Sequence, residues 1–175
     1  VCRPEELPAK NTTPRAELQA QSSKLTSLED AIRQSGLRDG MTISFHHHFR
    51  GGDKVVNLVV DKLAEMGFKN LHLAASSLSD VHEPLIGHIR QGVISRISTS
   101  GLRGELARAI SMGLMEEPVV FRSHGARGDA IARGELHIDV AFLGASSADP
   151  LGNACGYSRS PNAKSICGSL GYALP

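Results

Sequence analysis

The sequence predicts an open, mostly parallel α/β sheet with helices on both faces. Three observations predict it. Short apolar runs alternate with segments whose apolar residues recur at helical spacing, giving the order β-α-β-α-β-α-β-α-β. Glycines close one helical run after another, at Gly36, Gly67, Gly92 and Gly113. Aromatics are scarce, with five Phe, two Tyr and no Trp, so Val, Ile, Leu and Ala must build the core. The 175 residues fit one ordinary domain. Crossovers between its parallel strands should be right-handed.

Residues 1–24 carry three prolines and no apolar period, and read as an extended or disordered lead-in. Ser27-Leu-Glu-Asp30 starts the first helix, with Ser27 as cap and Asp30 where a capping box has Glu or Gln. Leu28, Ala31 and Ile32 form its stripe. Leu37-Arg-Asp-Gly40 turns into the first strand, Met41-Thr-Ile-Ser-Phe45. A polar loop, His46-His47-His48-Phe49-Arg50-Gly51-Gly52, leads to the second helix, whose face is Val55, Val56, Val59, Val60, Leu63 and Met66. Asp53 is placed to cap it.

The second strand is expected at 70–75, followed by the polar loop Ser76-Ser-Leu-Ser-Asp80. Leu85, Ile86 and Ile89 mark a helix over 84–91, and Val93-Ile-Ser-Arg-Ile-Ser98 a third strand. Leu102, Leu106, Ala109 and Ile110 form the next helix face. Pro118-Val-Val-Phe121 starts a fourth strand, 126–135 a weaker helix, and Ile138-Asp-Val-Ala-Phe-Leu143 a fifth strand. A long loop runs from 148 to 164, and Gly168-Ser-Leu-Gly-Tyr-Ala-Leu174 then begins another apolar element. Residues 25–175 are therefore expected to be a first α/β domain cut at its C-terminal end, the amino-terminal piece of a longer polypeptide.

The net charge of +1 gives no argument for nucleic acid, membrane or polyacidic partners. No stretch is apolar and long enough to span a bilayer. Three cysteines without a C-x-x-C pair point to reduced thiols in a cytoplasmic protein.

The candidate chemistry centres on the loop after the first strand. In an open α/β sheet such a loop lies at a carboxyl strand end, where ligands bind. Gly51 and Gly52 would let backbone approach a bound group, and the amides opening the next helix favour an anion. Neither G-x-G-x-x-G nor a P-loop is present. The alternative is that the glycines only serve a tight corner. Consecutive His46, His47 and His48 would point to opposite sides in extended chain, and no H-x-x-x-H pair follows, so no metal site is expected. One or two of them could instead donate to a substrate carboxylate or thioester carbonyl. His82, His88 and His124 read as solvent-facing or loop-packing. No G-x-S-x-G elbow occurs, and nothing activates Cys155 or Cys167. Glu83, Glu105, Glu116, Glu117 and Glu135 read as solvated, and Arg127-Gly-Asp129, an adhesion tripeptide, as coincidence.

The run Asp39-Gly-Met-Thr-Ile-Ser-Phe-His-His-His-Phe-Arg-Gly-Gly-Asp53 resembles the bacterial citrate lyase α-chain family. So do Met66-Gly-Phe-Lys-Asn70, Ala75-Ser-Ser-Leu-Ser-Asp80, His88-Ile-Arg-Gln-Gly92, Thr99-Ser-Gly-Leu-Arg103, Ile138-Asp-Val-Ala-Phe-Leu-Gly144 and Cys167-Gly-Ser-Leu-Gly-Tyr-Ala173. The resemblance runs from about Leu25 onward, and residues 1–24 and 158–163 match poorly.

It implies a family I CoA-transferase fold of the NagB/RpiA-like type. It also implies citrate:acetyl-carrier-protein transferase activity, with β and γ (acyl carrier) chains as partners in an oligomeric complex. The substrates would be citrate and an acetyl thioester on a CoA or dephospho-CoA-type prosthetic group carried by the partner. No covalently bound cofactor is implied. By resemblance, His47, His48, Phe49, Arg50, Gly51 and Gly52 hold the thioester-side positions. The family's nucleophilic glutamate lies in its second half, so no catalytic residue is expected within these 175 residues, which by themselves would be inactive. The rival readings are a carrier-protein docking scaffold and a sugar-phosphate isomerase on a related fold.

Overall fold

The computed structural model describes residues 23–46, 49 and 53–155. Five helices and a five-stranded parallel sheet alternate along them: α1 (Leu28–Gln34), β1 (Thr42–Phe45), α2 (Val55–Glu65), β2 (Leu71–Ala75), α3 (Leu85–Arg90), β3 (Ile94–Thr99), α4 (Gly104–Ser111), β4 (Val120–Phe121), α5 (His124–Ala132) and β5 (Val140–Phe142). The sheet order is β4-β3-β2-β1-β5. The chain thus builds outward from β1 to β4 and then crosses back to place β5 on the other side of β1.

Strand alternation divides the sheet into two unlike faces. Ile43 and Phe45 of β1, Leu71, Leu73 and Ala75 of β2, and Ile94 and Ile97 of β3 belong to one apolar cluster. Covering it are Ile32 of α1, Val56, Val59, Val60 and Leu63 of α2, Leu85 and Ile89 of α3, and Leu106 of α4. These are the stripes that the helical spacing predicts. On the opposite face β1 and β2 present Thr42, Ser44, His72 and Ala74, met by α5 through Arg127 and Ala130 and by Leu136 and Ile138. Helices do cover both faces, four against one.

Local signals place the ends of these elements. The Ser27 hydroxyl accepts from the Asp30 amide (3.0 Å) and donates to its carboxylate (2.7 Å), so Asp30 serves the cap through the hydroxyl. Gly104 opens α4 at φ 70°, and a Cβ there would meet the Asp80 carboxylate at 2.2 Å, so only glycine fits. Leu102, expected on the α4 face, instead forms an isolated parallel bridge with Leu78, whose side chain is buried. The weak helix begins at His124, two residues earlier than expected, because the Ser123 hydroxyl accepts from the Ala126 amide. Beyond Gly144 the expected long loop contains an antiparallel hairpin, β6 (Ser147–Ala148) and β7 (Ala154–Cys155). Asp149 ties its turn by accepting from the Leu151 and Asn153 amides, 2.9 Å each. Residues 1–22 of the lead-in expected over 1–24, and the apolar element expected over 168–174, lie outside the described residues.

Candidate functional site at the carboxyl strand ends

The sheet order reverses at β1. Its carboxyl end, with that of β5 beside it, is the switch-point crevice where open α/β sheets bind ligands. Phe45 and Phe142 pair in register there and stack with ring centres 5.4 Å apart. The chain therefore leaves β1 and β5 at neighbouring points of one sheet edge.

Asp53 and Gly144 fasten the loops after these two strands. The Asp53 carboxylate is buried and accepts from the Val55 amide at 2.9 Å and from the Phe49 amide at 3.2 Å. It sits one residue before the N-cap position, Lys54, yet it still satisfies an open amide of α2 and additionally pins the loop. A Cβ on Gly144 would lie 2.6 Å from the Phe49 ring and 3.3 Å from Val55. The Phe49 ring thus rests against the backbone that follows β5.

Of the expected substrate-side residues, Phe49 is placed at this crevice, half-buried; His47, His48, Arg50, Gly51 and Gly52 lie outside the described residues. His46, directly after β1, has its Nδ1 2.6 Å from the Ser76 hydroxyl at the end of β2. Ser100, after β3, donates to the Ser76 carbonyl, and its oxygen lies 3.2 Å from His124 Nδ1 at the start of α5.

Below this row Arg127 is buried, its Nη2 donating to the Ser44 hydroxyl (3.0 Å) and the Ala74 carbonyl (3.2 Å). Burial removes the adhesion-tripeptide reading of Arg127-Gly-Asp129, because the arginine is inaccessible. Sequence reasoning passed over Ser44 and Ser100, and gave His124, read as solvent-facing or loop-packing and exposed in the fold, and Arg127 no part in a site. One signal existed: Arg127, Ala130 and Ile131 share the i, i+3, i+4 row that turns inward.

Electrostatics on this polar face favour neutral histidine. Burial, aided by the Arg96, Arg122 and Arg127 guanidiniums, pushes the His72 imidazole down to about 4. His72 bridges Ser98 (2.9 Å) and Thr42 (3.4 Å) as a neutral ring. His82, expected to face solvent or pack in a loop, is buried in the short 3₁₀ turn Asp80–His82. Its Nδ1 accepts from the Ser79 amide at 2.9 Å, and burial lowers its pKa. His88 pairs with Asp61 at 2.7 Å, and Glu83, Glu105, Glu116, Glu117 and Glu135 are all exposed. Among the described residues no three His, Cys, Asp or Glu side chains converge as a metal ion requires, and no helix is long and apolar enough to cross a membrane.

Residues 22–175 match the family model described as "Citrate lyase, alpha subunit (CitF)". The chain belongs to the citrate lyase α-subunit family. It is 57% identical over 173 residues to the citrate lyase alpha chain of Escherichia coli (strain K12), covering 97% of this chain and 33% of that one. It is 66% identical over 147 residues to the corresponding chain of Klebsiella pneumoniae, covering 84% of this chain and 28% of that one. A crystal structure described as the alpha subunit of citrate lyase in complex with citrate, from Streptococcus mutans, superposes with a TM-score of 0.78 at 52% identity. That match covers 93% of this chain and 30% of the other. The chain thus spans about a third of the length of the relatives it matches.

Proposed function

We propose that this chain is the amino-terminal part of the acyl-thioester exchange subunit of citrate lyase. Citrate takes the place of acetate on the thiol of an acyl carrier protein: the acetyl–sulfur bond breaks, a citryl–sulfur bond forms, and acetate leaves. The observation that carries the reading is the placement of Phe49, its amide held by Asp53 and its ring against Gly144, beside the switch point of a chain in this family. Residues 25–175 would be the first part of a CoA-transferase domain of the NagB/RpiA-like type, acting in the cytoplasm with β and γ chains. The thiol belongs to a CoA or dephospho-CoA-type group on the γ chain.

Within the loop, His47, His48, Phe49, Arg50, Gly51 and Gly52 form the thioester side. Amides at Gly51 and Gly52 would stabilise the oxyanion that develops on the acyl oxygen, an effect of roughly 2.7–4 kcal/mol per donor in other enzymes. The nucleophilic carboxylate comes from the second half of the full-length chain, and covalent capture divides one hard transfer into easier steps.

The test is thioester exchange by the full-length subunit with its partners. Gly52→Val is expected to depress turnover roughly a hundredfold or more, while turnover near wild type would exclude the loop from catalysis. A wild-type enzyme that docks the carrier but exchanges no thioester would favour a scaffold. Binding of a sugar phosphate in place of a CoA thioester would favour an isomerase.

A further inference from the structure

Four polar side chains form a row across the carboxyl ends of three neighbouring strands: His46 after β1, Ser76 after β2, Ser100 after β3, and His124 opening α5. Contacts along it are continuous: His46 Nδ1 to the Ser76 hydroxyl at 2.6 Å, Ser100 to the Ser76 carbonyl, and Ser100 to His124 Nδ1 at 3.2 Å. Arg127 lies beneath the first two strand ends, its guanidinium buried against Ser44 and the Ala74 carbonyl. Every member of the row is neutral or cationic, and the cation below it is held in low dielectric, where its field is weakly screened.

We infer that this row binds carboxylate groups of the acid that accepts the carrier thiol, and that Ser100 and His124 determine selection of a polycarboxylic acid over acetate. The inference rests on the thioester-exchange reading and deepens it. Adjacent strands lie about 4.8 Å apart, so the row from β1 to β3 extends roughly 10 Å. An acid with two or three carboxylates can engage both ends of such a row, with one carboxyl left at the reacting end beside the β1 loop. Acetate reaches one end only. Ser100 donates its own proton to the Ser76 carbonyl and accepts from His124 Nδ1–H, so it aims the imidazole, whose Nε2–H suits a carboxylate oxygen. A charge-assisted hydrogen bond of that kind is strong enough to shift selectivity. Arg127 acts through the strand ends it fastens, as a positioning residue.

The experiment measures KM for citrate and for acetate as the acid that accepts the carrier thiol, using the full-length enzyme with its partner chains. It also measures calorimetric binding of citrate and propane-1,2,3-tricarboxylate. Ser100→Ala removes the hydroxyl at the centre of the row. His124→Asn keeps a donor near Nδ1 but shortens the side chain. Each is expected to raise KM for citrate roughly tenfold to a hundredfold and weaken tricarboxylate binding alike, with a much smaller change for acetate. His124→Gln, which restores length and a terminal donor, should recover part of the loss.

Unchanged citrate KM and binding in folded Ser100→Ala and His124→Asn enzymes would overturn the inference, as would equal losses for citrate and acetate. If the wild-type enzyme exchanges no thioester yet binds citrate, and the variants weaken that binding, the carboxylate site stands and only the exchange reading falls. A folded wild-type enzyme that binds no tricarboxylate overturns the site itself.

Discussion

Arg127 shows how much one residue carries at this site. A guanidinium taken out of water is costly unless its donors find acceptors, and here one terminal nitrogen, Nη2, donates to both the Ser44 hydroxyl and the Ala74 carbonyl. These two acceptors belong to β1 and β2, so a single side chain from α5 clamps both strands one residue or two before the site begins. Replacing it with methionine keeps much of the volume but strips a buried hydroxyl and a buried carbonyl of their donor. Arg127→Met is expected to lower the unfolding free energy by about 2–4 kcal/mol in denaturant titration. Arg127→Lys should recover part of this, and a loss below about 0.5 kcal/mol would remove the clamp from the account.

The elements were largely readable from the chain, and the exceptions have physical causes. Strands β1, β2 and β3 and helices α1, α2 and α3 fall within a residue or so of their apolar runs, because each buries a full stripe against one core. β4 shrinks to Val120–Phe121, both exposed at the sheet edge, where one neighbour supplies hydrogen bonds. The β6–β7 hairpin escaped because two-residue strands hold no period, although Asp149 and Gly152 at φ 86° are turn chemistry in plain view.

The polar face of β2 gives a pH prediction. His72 is neutral in the fold with its pKa at about 4, below its ordinary value of 6.5, and burial lowers His82 in the same direction. Between these values the unfolded chain binds more protons than the folded one, so stability rises with pH across that window and falls as pH drops through it. Unfolding midpoints measured from pH 7 to 4.5 should therefore fall more steeply in the wild type than in His72→Gln. Parallel curves would contradict this.

At the scale of the molecule, strand order decides where function sits, and no local pattern encodes it. The spacing of the apolar runs predicts five strands, but not that β5 pairs with β1, nor that Gly144 thereby meets Phe49. Histidines and glycines mark the loop at 46–52 in the sequence, and of it the described Phe49 lies against the backbone after β5. The row of Ser76, Ser100 and His124 was not, because its members become neighbours only when three strands align.

The most direct measurement of the central claim is thioester exchange by full-length Gly144→Val enzyme, with Gly87→Ala as a control. At Gly87 an added Cβ meets nothing within 4 Å, whereas at Gly144 it strikes Phe49 and Val55. The account predicts near-normal exchange for Gly87→Ala and a loss on the order of a hundredfold for Gly144→Val, through displacement of the loop after β1. Full exchange by a folded Gly144→Val enzyme would mean that the crevice between β1 and β5 is not where the thioester reacts.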